Sequence, residues 1–420
     1  MATIANFQPQ ARLADPHQEG LPNYAYLAGL LAMLVGIGMY MFYRQTAQGL
    51  GITGLNRPVQ WGIYVANFIF CVGLSAGGIA ISAMAHTLNL EKLKTIAVVA
   101  EAMAISFLIL AGIFITLDLG RPDRIYFLLL YARLTSPLLW DVIVINSYLV
   151  LCSALLFFSV RPEMAEKFGS SRKTRWLARL FSLGVPLPFS HGALEVNHKV
   201  LRILAIVSIP GFVALHSVTA WILGLVKGQA GWNTTILAPL FIVSALVAGM
   251  AGVILNVLLA RWMFKIKIDD SVVIQLGKYL FLLIPVLMYF LFSEYLTVGY
   301  SGTVSHVAVL EELLKGRFSG IFWFDVIVGL LIPLVLLGLP WTRTPLWIGL
   351  SSFMVVIGVF TERLYILLPS LMTPNLPVSA IYSPSNAEWT LMVGTYSLGL
   401  LMFIAILHII YGFKERRAAY

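Results

Sequence analysis

The chain has 420 residues, of which 59% are hydrophobic and 11% are charged. A soluble domain carries about 25% charged residues, so this composition excludes a set of soluble domains and predicts a polytopic, all-α membrane protein. The net charge of +9 comes from basic residues in the loops between apolar runs, which argues against a nucleic-acid-binding face.

A membrane-spanning helix needs about 20 consecutive, mainly apolar residues. Ten stretches of the sequence meet this requirement, and they lie near residues 23–43, 61–85, 95–117, 138–160, 203–226, 234–260, 273–299, 320–341, 346–369 and 389–412. A polar, proline-containing segment precedes the first stretch, so we expect it to be a membrane span and not a cleavable signal peptide.

The distribution of lysine and arginine predicts the orientation of these spans. An even number of spans places both termini on one side, and the loops on that side hold 18 basic residues against 8 on the opposite side. Basic loops stay in the cytoplasm, so we expect cytoplasmic termini. The long loop 161–202 on that side is basic and amphipathic, which favours a helix on the lipid surface over a binding domain.

Spans four and eight share a short pattern, an aspartate followed by Val-Ile-Val, at Asp141 and Asp325. Neighbouring spans carry ionisable residues in the same order, which are Asp118 and Glu294, then His216 and Glu362. We interpret spans two to five and six to nine as two four-helix bundles related by a parallel repeat, with spans one and ten flanking them. The alternative is that short apolar strings coincide by chance.

This interpretation divides the sequence into five parts. They are a cytoplasmic N-terminal segment (1–22), a flanking helix with its outer loop (23–60), the first bundle (61–226), the second bundle (227–369), and the last flanking helix with the cytoplasmic C-terminus (370–420).

Four polar groups of the first bundle are expected in its outer half: Asn67, Asp118, Asp141 and His216. Ionisable groups in a membrane are costly, so each is a candidate for function. Arg121 can pair with Asp118 or Asp141, or it only fixes the loop. An apolar cavity with a few titratable groups suits a quinone, whose two carbonyl oxygens accept hydrogen bonds and then protons.

We expect this protein to bind no haem and no metal. A transmembrane haem needs two facing histidines at equal depth, but His216 and His408 lie at different depths of their spans. Cys71 and Cys152, the two cysteines, both lie inside apolar runs and form no iron–sulfur ligand pattern.

The second bundle contains a cluster of charged residues in its outer half, and two further groups lie towards the cytoplasm. The outer residues are Glu294, Asp325, Glu362 and Arg363, and the inner ones are Glu101 and Lys278. Acids at different depths favour a proton path running inward past Lys278, whereas an arginine beside acids is equally typical of a structural ion pair.

Several strings resemble the NrfD family of polysulfide-reductase-type membrane subunits. They are LDLGRPDR and TSPLLWD around spans three and four, HSVTAW in span five, FSEYLT in span seven and TERLYILLP in span nine. With ten spans, the protein resembles the larger branch of that family, found in alternative complex III, quinone-reductase complexes and some hydrogenases. Where some relatives have an acid just after HSVxxW, this sequence has Ile222.

The resemblance implies a subunit of a respiratory oxidoreductase in the bacterial inner membrane, with a quinone (menaquinone or ubiquinone) bound in the first bundle near the outer face. It also implies a ferredoxin-like iron–sulfur partner on that face and a further catalytic subunit of molybdopterin, cytochrome or hydrogenase type. The residues assigned to catalysis are Asp118, Asp141 and His216, and those assigned to quinone binding are Asn67, Arg121, Trp140, Asp141 and His216.

Two other functions remain open at this stage. A parallel repeat with acids inside the membrane also suits a secondary transporter, and a bundle without a working quinone site would serve as a structural anchor. Co-purification of quinone and iron with the complex would separate the three.

Overall fold

The structure is a computed structural model that describes residues 24–170, 172, 174–373 and 381–412. The N-terminal segment that we expect in the cytoplasm, 1–22, lies outside the described residues, as does the basic C-terminal end from residue 413. The described residues are mainly helical and contain no β-strand.

Ten helices in these ranges are long and apolar enough to cross a membrane, which confirms the predicted all-α, multi-pass membrane protein. We number them α1 Ala25–Gln48, α2 Ile63–Thr87, α3 Glu91–Asp118, α4 Pro137–Gly169, α5 His191–Gly224, α6 Leu237–Phe264, α7 Asp270–Ser301, α8 Ser319–Gly338, α9 Pro345–Met372 and α10 Asn386–Tyr411.

The long basic segment 161–202 is mostly helical, and much of it extends the two neighbouring spans. Helix α4 continues to Gly169, and α5 already begins at His191. Between them lies one separate short helix, Arg175–Ser182. The apolar runs end where the sequence becomes polar, but a helix can continue into water, and hydropathy cannot detect that continuation.

Helices α2 and α6 cross at the centre of the molecule. Gly77 and Gly249 face each other so closely that a methyl group on either would overlap the backbone of the other. Gly73 lies against Ala245 in the same register, so the two helices run parallel. Small residues allow this approach of two backbones inside a membrane protein.

The other helices pack around this central pair. Helix α2 contacts α3 and α5, whereas α6 contacts α7 and α9. Helix α4 packs on α3 and α5, and α8 packs on α7 and α9. Helix α1 packs on α10, which in turn contacts α3. The middle of α8, Asp325–Leu331, is a π-helical segment, a feature often found at functional sites.

Candidate functional site

Asp141 lies one turn inside α4 and is buried against α5. The helix begins at Pro137, which suits the first turn because proline lacks the N–H that would be unpaired there. The Thr219 hydroxyl of α5 donates to the Asp141 carboxylate at 2.7 Å. Both side chains are buried, so this hydrogen bond fixes the acid between the two helices.

His216 lies one turn before Thr219 on the same helix and is also buried. Its Nδ1 is 2.9 Å from the Phe212 carbonyl oxygen. A carbonyl only accepts, so Nδ1 carries the hydrogen and the neutral ring presents Nε2 as an acceptor. The Nε2 atom is buried and has no hydrogen-bond partner among the described residues. The Val72 backbone of α2 also lies close to the ring, so His216 is an unpaired acceptor at the contact between α5 and α2.

Tyr148 provides an open donor on the facing helix. Its side chain is 2% exposed, and its hydroxyl has no hydrogen-bond partner within the described ranges. The Tyr148 ring lies against Gly211 of α5, whereas Asp141 faces Thr219, so the two helices run antiparallel. His216 occupies a level between these two contacts. Sequence reasoning missed Tyr148 and Thr219.

Asn67 makes its hydrogen bonds elsewhere. Its amide nitrogen donates to the Ile63 carbonyl at 2.7 Å, and its amide oxygen accepts from Tyr396 of α10 at 2.6 Å. The structure therefore does not bring Asn67 into the hydrogen-bond network of Asp141. The depth of Asn67 along α2 can be estimated from the sequence, but the side of the helix that it occupies cannot.

Asp118 ends α3 beside polar groups of the flanking helices. One of its carboxylate oxygens is buried without a hydrogen-bond partner in the described part of the protein. Nearby, Tyr64 donates to the Gln45 amide oxygen at 2.7 Å, and the Gln45 nitrogen donates to the Leu117 carbonyl at 2.8 Å. Tyr64 is within electrostatic range of both Asp118 and Glu388. This group links α1, α2, α3 and α10.

Glu388 is a fully buried acid that sequence reasoning missed. Its carboxylate accepts from the backbone N–H of Gly54 at 2.7 Å, from that of Ser385 at 2.8 Å and from the Tyr382 hydroxyl at 2.7 Å. Tyr382 in turn accepts from the N–H of Ile63. Burial, with the hydrogen bond to Glu388, raises the pKa of Tyr382 above its ordinary value. Glu388 thus ties the loop after α1 to the start of α10.

The predicted pairing of Arg121 with Asp118 or Asp141 is wrong. Arg121 is exposed and donates two hydrogen bonds of 3.0 Å to Asp123, because the turn at Pro122 brings that carboxylate back to the guanidinium. Each partner stabilises the charge of the other, which lowers the pKa of Asp123 and raises that of Arg121.

Trp140 lies next to Asp141 but is directed towards the loop. Its indole N–H donates to the Leu134 carbonyl at 2.5 Å, so the ring closes the loop that precedes α4.

The acids of the second bundle, Asp325 and Glu362, lie beside the guanidinium of Arg363. Tyr365 donates to Asp325 at 2.7 Å, and Ser244 donates to Glu362 at 2.5 Å. Arg363 lies 3.3 Å from Glu362 and donates to the Ser244 hydroxyl at 2.7 Å. Asp325, Glu362 and Arg363 are residues that the sequence analysis places in this cluster, and all five side chains are buried.

The two acid groups are built on the same plan. The Asp141–Thr219 hydrogen bond recurs as the Asp325–Tyr365 hydrogen bond. Asp325 follows Asp141 by 184 residues, and Tyr365 follows Thr219 by 146. The sequence pattern predicts the same 146-residue offset between His216 and Glu362, which lie one turn before Thr219 and Tyr365. The predicted internal repeat is therefore matched by this one pair of hydrogen bonds.

Two other predicted residues, Glu294 and Lys278, lie on α7. Glu294 accepts a hydrogen bond from Thr234 at 2.9 Å. Lys278 has an exposed side chain, so the predicted route inward past Lys278 does not run between the helices.

Glu101 forms a separate group near the opposite end of the first bundle. It is fully buried, and one carboxylate oxygen accepts hydrogen bonds from Ser82 and, at 3.0 Å, from Ser159. His86 Nε2 is 3.8 Å from the same oxygen. The second carboxylate oxygen is buried and has no hydrogen-bond partner among the residues that the structure describes.

The described residues contain no group of three or more histidine, cysteine, aspartate or glutamate side chains suited to hold a metal ion. Cys71 and Cys152 are both buried and free.

Comparison with known proteins gives consistent matches. A family model described as polysulphide reductase, NrfD, matches residues 51–375. The protein is 27% identical to the C subunit of selenate reductase from Mesobacillus selenatarsenatis, over 92% of this sequence and 94% of that one. It is 28% identical to the Hdr-like menaquinol oxidoreductase integral membrane subunit of Archaeoglobus fulgidus, over 91% and 92%. It is 24% identical to the C component of polysulfide reductase from Wolinella succinogenes, over 74% and 94%.

Proposed function

The chain belongs to the polysulphide reductase NrfD family, and we propose that it is the quinone-binding membrane subunit of a respiratory oxidoreductase. Two relatives are named for menaquinol or menaquinone, which supports a quinone as the ligand, and other relatives are named as parts of selenate and polysulfide reductases. We propose that the quinone binds between α4 and α5, beside Asp141 and His216.

A single observation carries this assignment: a buried open donor and a buried open acceptor lie on facing helices. Unpaired polar atoms cost about 1–3 kcal/mol each when buried, so their presence suits a ligand with matching groups. The Tyr148 hydroxyl can donate to a carbonyl oxygen, and His216 Nε2 can accept from a hydroxyl. A bound quinone supplies reversible uptake of electrons and protons at its two oxygens.

Asp141 and Thr219 complete the site. The Thr219 hydroxyl holds one carboxylate oxygen of Asp141, which leaves the other available for a proton. We propose that Asp141 exchanges protons with the ligand and that His216 orients it. Asn67 accepts a hydrogen bond from α10, and Asp118 lies within electrostatic range of Tyr64, and we propose that both support the wall of the bundle.

Electron exchange needs a redox centre near the site, and we propose that an iron–sulfur partner subunit provides it. Asp141 lies one turn from the start of α4, so the partner would dock on that face, over the loops 44–60 and 118–136. The excess of basic residues in the opposite loops supports cytoplasmic termini in the bacterial inner membrane. A further catalytic subunit would be attached to the iron–sulfur partner.

The test is a His216→Ala variant of the purified complex, with His191→Ala as the matched control. His191 is the exposed first residue of the same helix, far from the site. We expect His216→Ala to lower both the co-purifying quinone and the quinol-linked turnover by about tenfold or more, because it removes the buried acceptor. The control should retain both. Normal quinone content and turnover in His216→Ala would contradict the assignment.

The same preparations separate the other functions. A structural anchor would contain no quinone even in the wild-type complex. A secondary transporter would move solute in vesicles without any added electron donor.

A further inference from the structure

Helix α4 carries a polar stripe along most of its length, buried at three of its four members and partly buried at Ser159. Its members are Asp141, Tyr148, Cys152 and Ser159, separated by seven, four and seven residues. These spacings place all four side chains on the same face of an α-helix. The stripe extends over about 27 Å at 1.5 Å per residue, which is close to the thickness of the hydrocarbon core. The other polar side chains of this segment, Asn146, Ser147 and Ser153, are exposed, so the row that faces the interior calls for an explanation beyond packing.

The inner end of the stripe meets Glu101 of α3. Ser159 donates to its carboxylate, and Cys152 lies within electrostatic range of it. A fully buried carboxylate with one unpaired oxygen is costly, so a purely structural role is poorly supported. His86 is the next group towards the inner end of the bundle, and its side chain is 13% exposed. The row therefore reaches from a partly exposed histidine to the buried site.

Other charged groups surround this entrance. His198 of α5 interacts electrostatically with His86, Lys94 and Glu91 near the same end of the bundle. These side chains can exchange protons with the aqueous phase and pass them to His86.

We propose that the row His86, Glu101, Ser159 and Tyr148 carries protons between this end of the first bundle and the quinone site. The inference rests on the proposed function. Quinone reduction takes up two protons, one on each oxygen. Tyr148 donates its hydroxyl proton to one carbonyl oxygen, Asp141 donates a proton to the other, and both are restored from Glu101 along the row. Glu101 is then reprotonated through His86, while the iron–sulfur partner supplies the electrons. Quinol oxidation runs the same steps in reverse.

The steps differ in distance, and the longest would need water molecules. Ser159 and Tyr148 are eleven residues apart, or about 16 Å along the helix. The unpaired oxygens of Glu101 and Tyr148 lie towards the two ends of this gap, and each is a possible partner for a water molecule. Cys152 leaves this segment less obstructed than a leucine would.

This route has an electrical consequence. Electrons would enter from the partner at the outer face, whereas protons would enter from the opposite end, where His86 lies. The quinone takes up equal numbers of both, so turnover would move about one charge across the membrane per electron. A site that exchanged its protons at the outer face would move none.

The second bundle lacks this row. The positions 184 residues after Tyr148 and Cys152 are Ile332 and Leu336. Asp325 therefore occupies the place of Asp141 without the polar groups beneath it. The repeat supplies an internal comparison in which only one copy has the route.

The test uses the complete complex in proteoliposomes, with Glu101→Gln and Tyr148→Phe as the variants. Ser153→Ala is the matched control, because Ser153 adjoins the stripe on α4 but is exposed and bonds only to its own helix. Quinone content, turnover and charge moved per electron are measured on the same preparations.

We expect Glu101→Gln to keep quinone content within about twofold while turnover falls about tenfold or more, because proton supply becomes limiting. Tyr148→Phe should lower turnover as far, and its quinone content should also fall, because the variant removes the donor to the quinone. Glu101→Asp should restore part of the rate, since it keeps a carboxyl group. The Ser153→Ala control should match the wild type in all three measurements. Unchanged turnover and charge movement in Glu101→Gln would overturn the route.

If loss of the fold caused the fall in turnover of Glu101→Gln, its quinone content would fall too, and the Glu101→Asp variant would also be inactive. Failure of the proposed function would look different, because the wild-type complex itself would contain no quinone. A wild-type complex that binds and turns over quinone but moves no charge would overturn the route alone.

Discussion

The first and second four-helix groups share a frame, and each leaves buried polar atoms without a partner among the described residues, including Asp325 Oδ1 and Arg363 Nε in the second. They differ in the ionisable groups that surround those atoms. In the first, Asp141 receives one hydrogen bond from Thr219, and His216 presents an open nitrogen. In the second, Glu362 occupies the position of the histidine and is paired with Arg363. The Arg363 guanidinium also lies 4.5 Å from the centre of an aromatic ring, that of Phe241.

This difference indicates that the two copies of the repeat have different roles. A guanidinium fills its pocket and stabilises the charged form of a neighbouring acid, which suits a permanent ion pair. A neutral imidazole with an open nitrogen suits a ligand that enters and leaves. We therefore interpret the first group as the reactive site and the second as its structural counterpart, and each prediction below changes one copy while the other serves as the control.

The largest effect is expected from Arg363→Met in the second group. The variant leaves Glu362 buried without its cation, and breaking one partner of a buried pair costs about 3–5 kcal/mol. We expect a corresponding loss in the free energy of unfolding, measured by denaturant titration in detergent micelles.

The double variant Arg363→Met with Glu362→Gln is the control for this prediction, because it removes the unpaired charge. It should recover more than half of the loss. A single variant as stable as the wild type would mean that the ion pair does not support the second group.

The next effect compares the two equivalent aspartates. Asp141→Asn should lower quinol-linked turnover about 100-fold, or about 2.7 kcal/mol in activation free energy, because it removes the acid at the proposed site. Asp325→Asn should lower it less than about threefold. Turnover of both purified complexes with the same quinol analogue is the measurement. Equal losses in the two variants would contradict the division of tasks.

The sequence predicts the ten spans, their order and the positions of Asp141, Asp325, His216 and Glu362 along their helices. These features follow from hydropathy and spacing, which are local properties. The side of a helix that a residue occupies depends on tertiary packing, so Asn67 is expected at the site from its depth but contacts α10.

The missed residues have a similar physical reason. Thr219 and Tyr148 lie in apolar runs where a hydroxyl adds little to hydropathy, and only the structure shows what they face. Glu388 lies one residue before the predicted last span, so hydropathy places it in a loop. In the structure it belongs to α10, where it accepts from Ser385 in a capping box.

A smaller effect is expected where the two groups meet. Gly77→Ala places a methyl group against the backbone of Gly249 and should cost about 1–3 kcal/mol of unfolding free energy, because neither backbone can move away easily. Gly36→Ala is the control, since nothing lies within 4 Å of that position among the described residues. It should be neutral or slightly stabilising, because alanine favours a helix. Equal free energies of unfolding for the two variants would show that the contact between α2 and α6 can accommodate the added methyl group.

The smallest effect is expected from Glu294→Gln, which tests whether the second group conducts protons at all. Glu294 is held by Thr234 and shares its helix with Lys278, whose side chain is exposed. Below Asp325, the equivalents of the α4 stripe are Ile332 and Leu336, so we find no polar row there that leads inward. Glutamine keeps the shape and the hydrogen bond to Thr234. Charge moved per electron in proteoliposomes should therefore change by less than about 10%, because protons use the first group. A clear fall in charge movement with quinone turnover unchanged would assign a proton path to the second group and make the two copies functional partners.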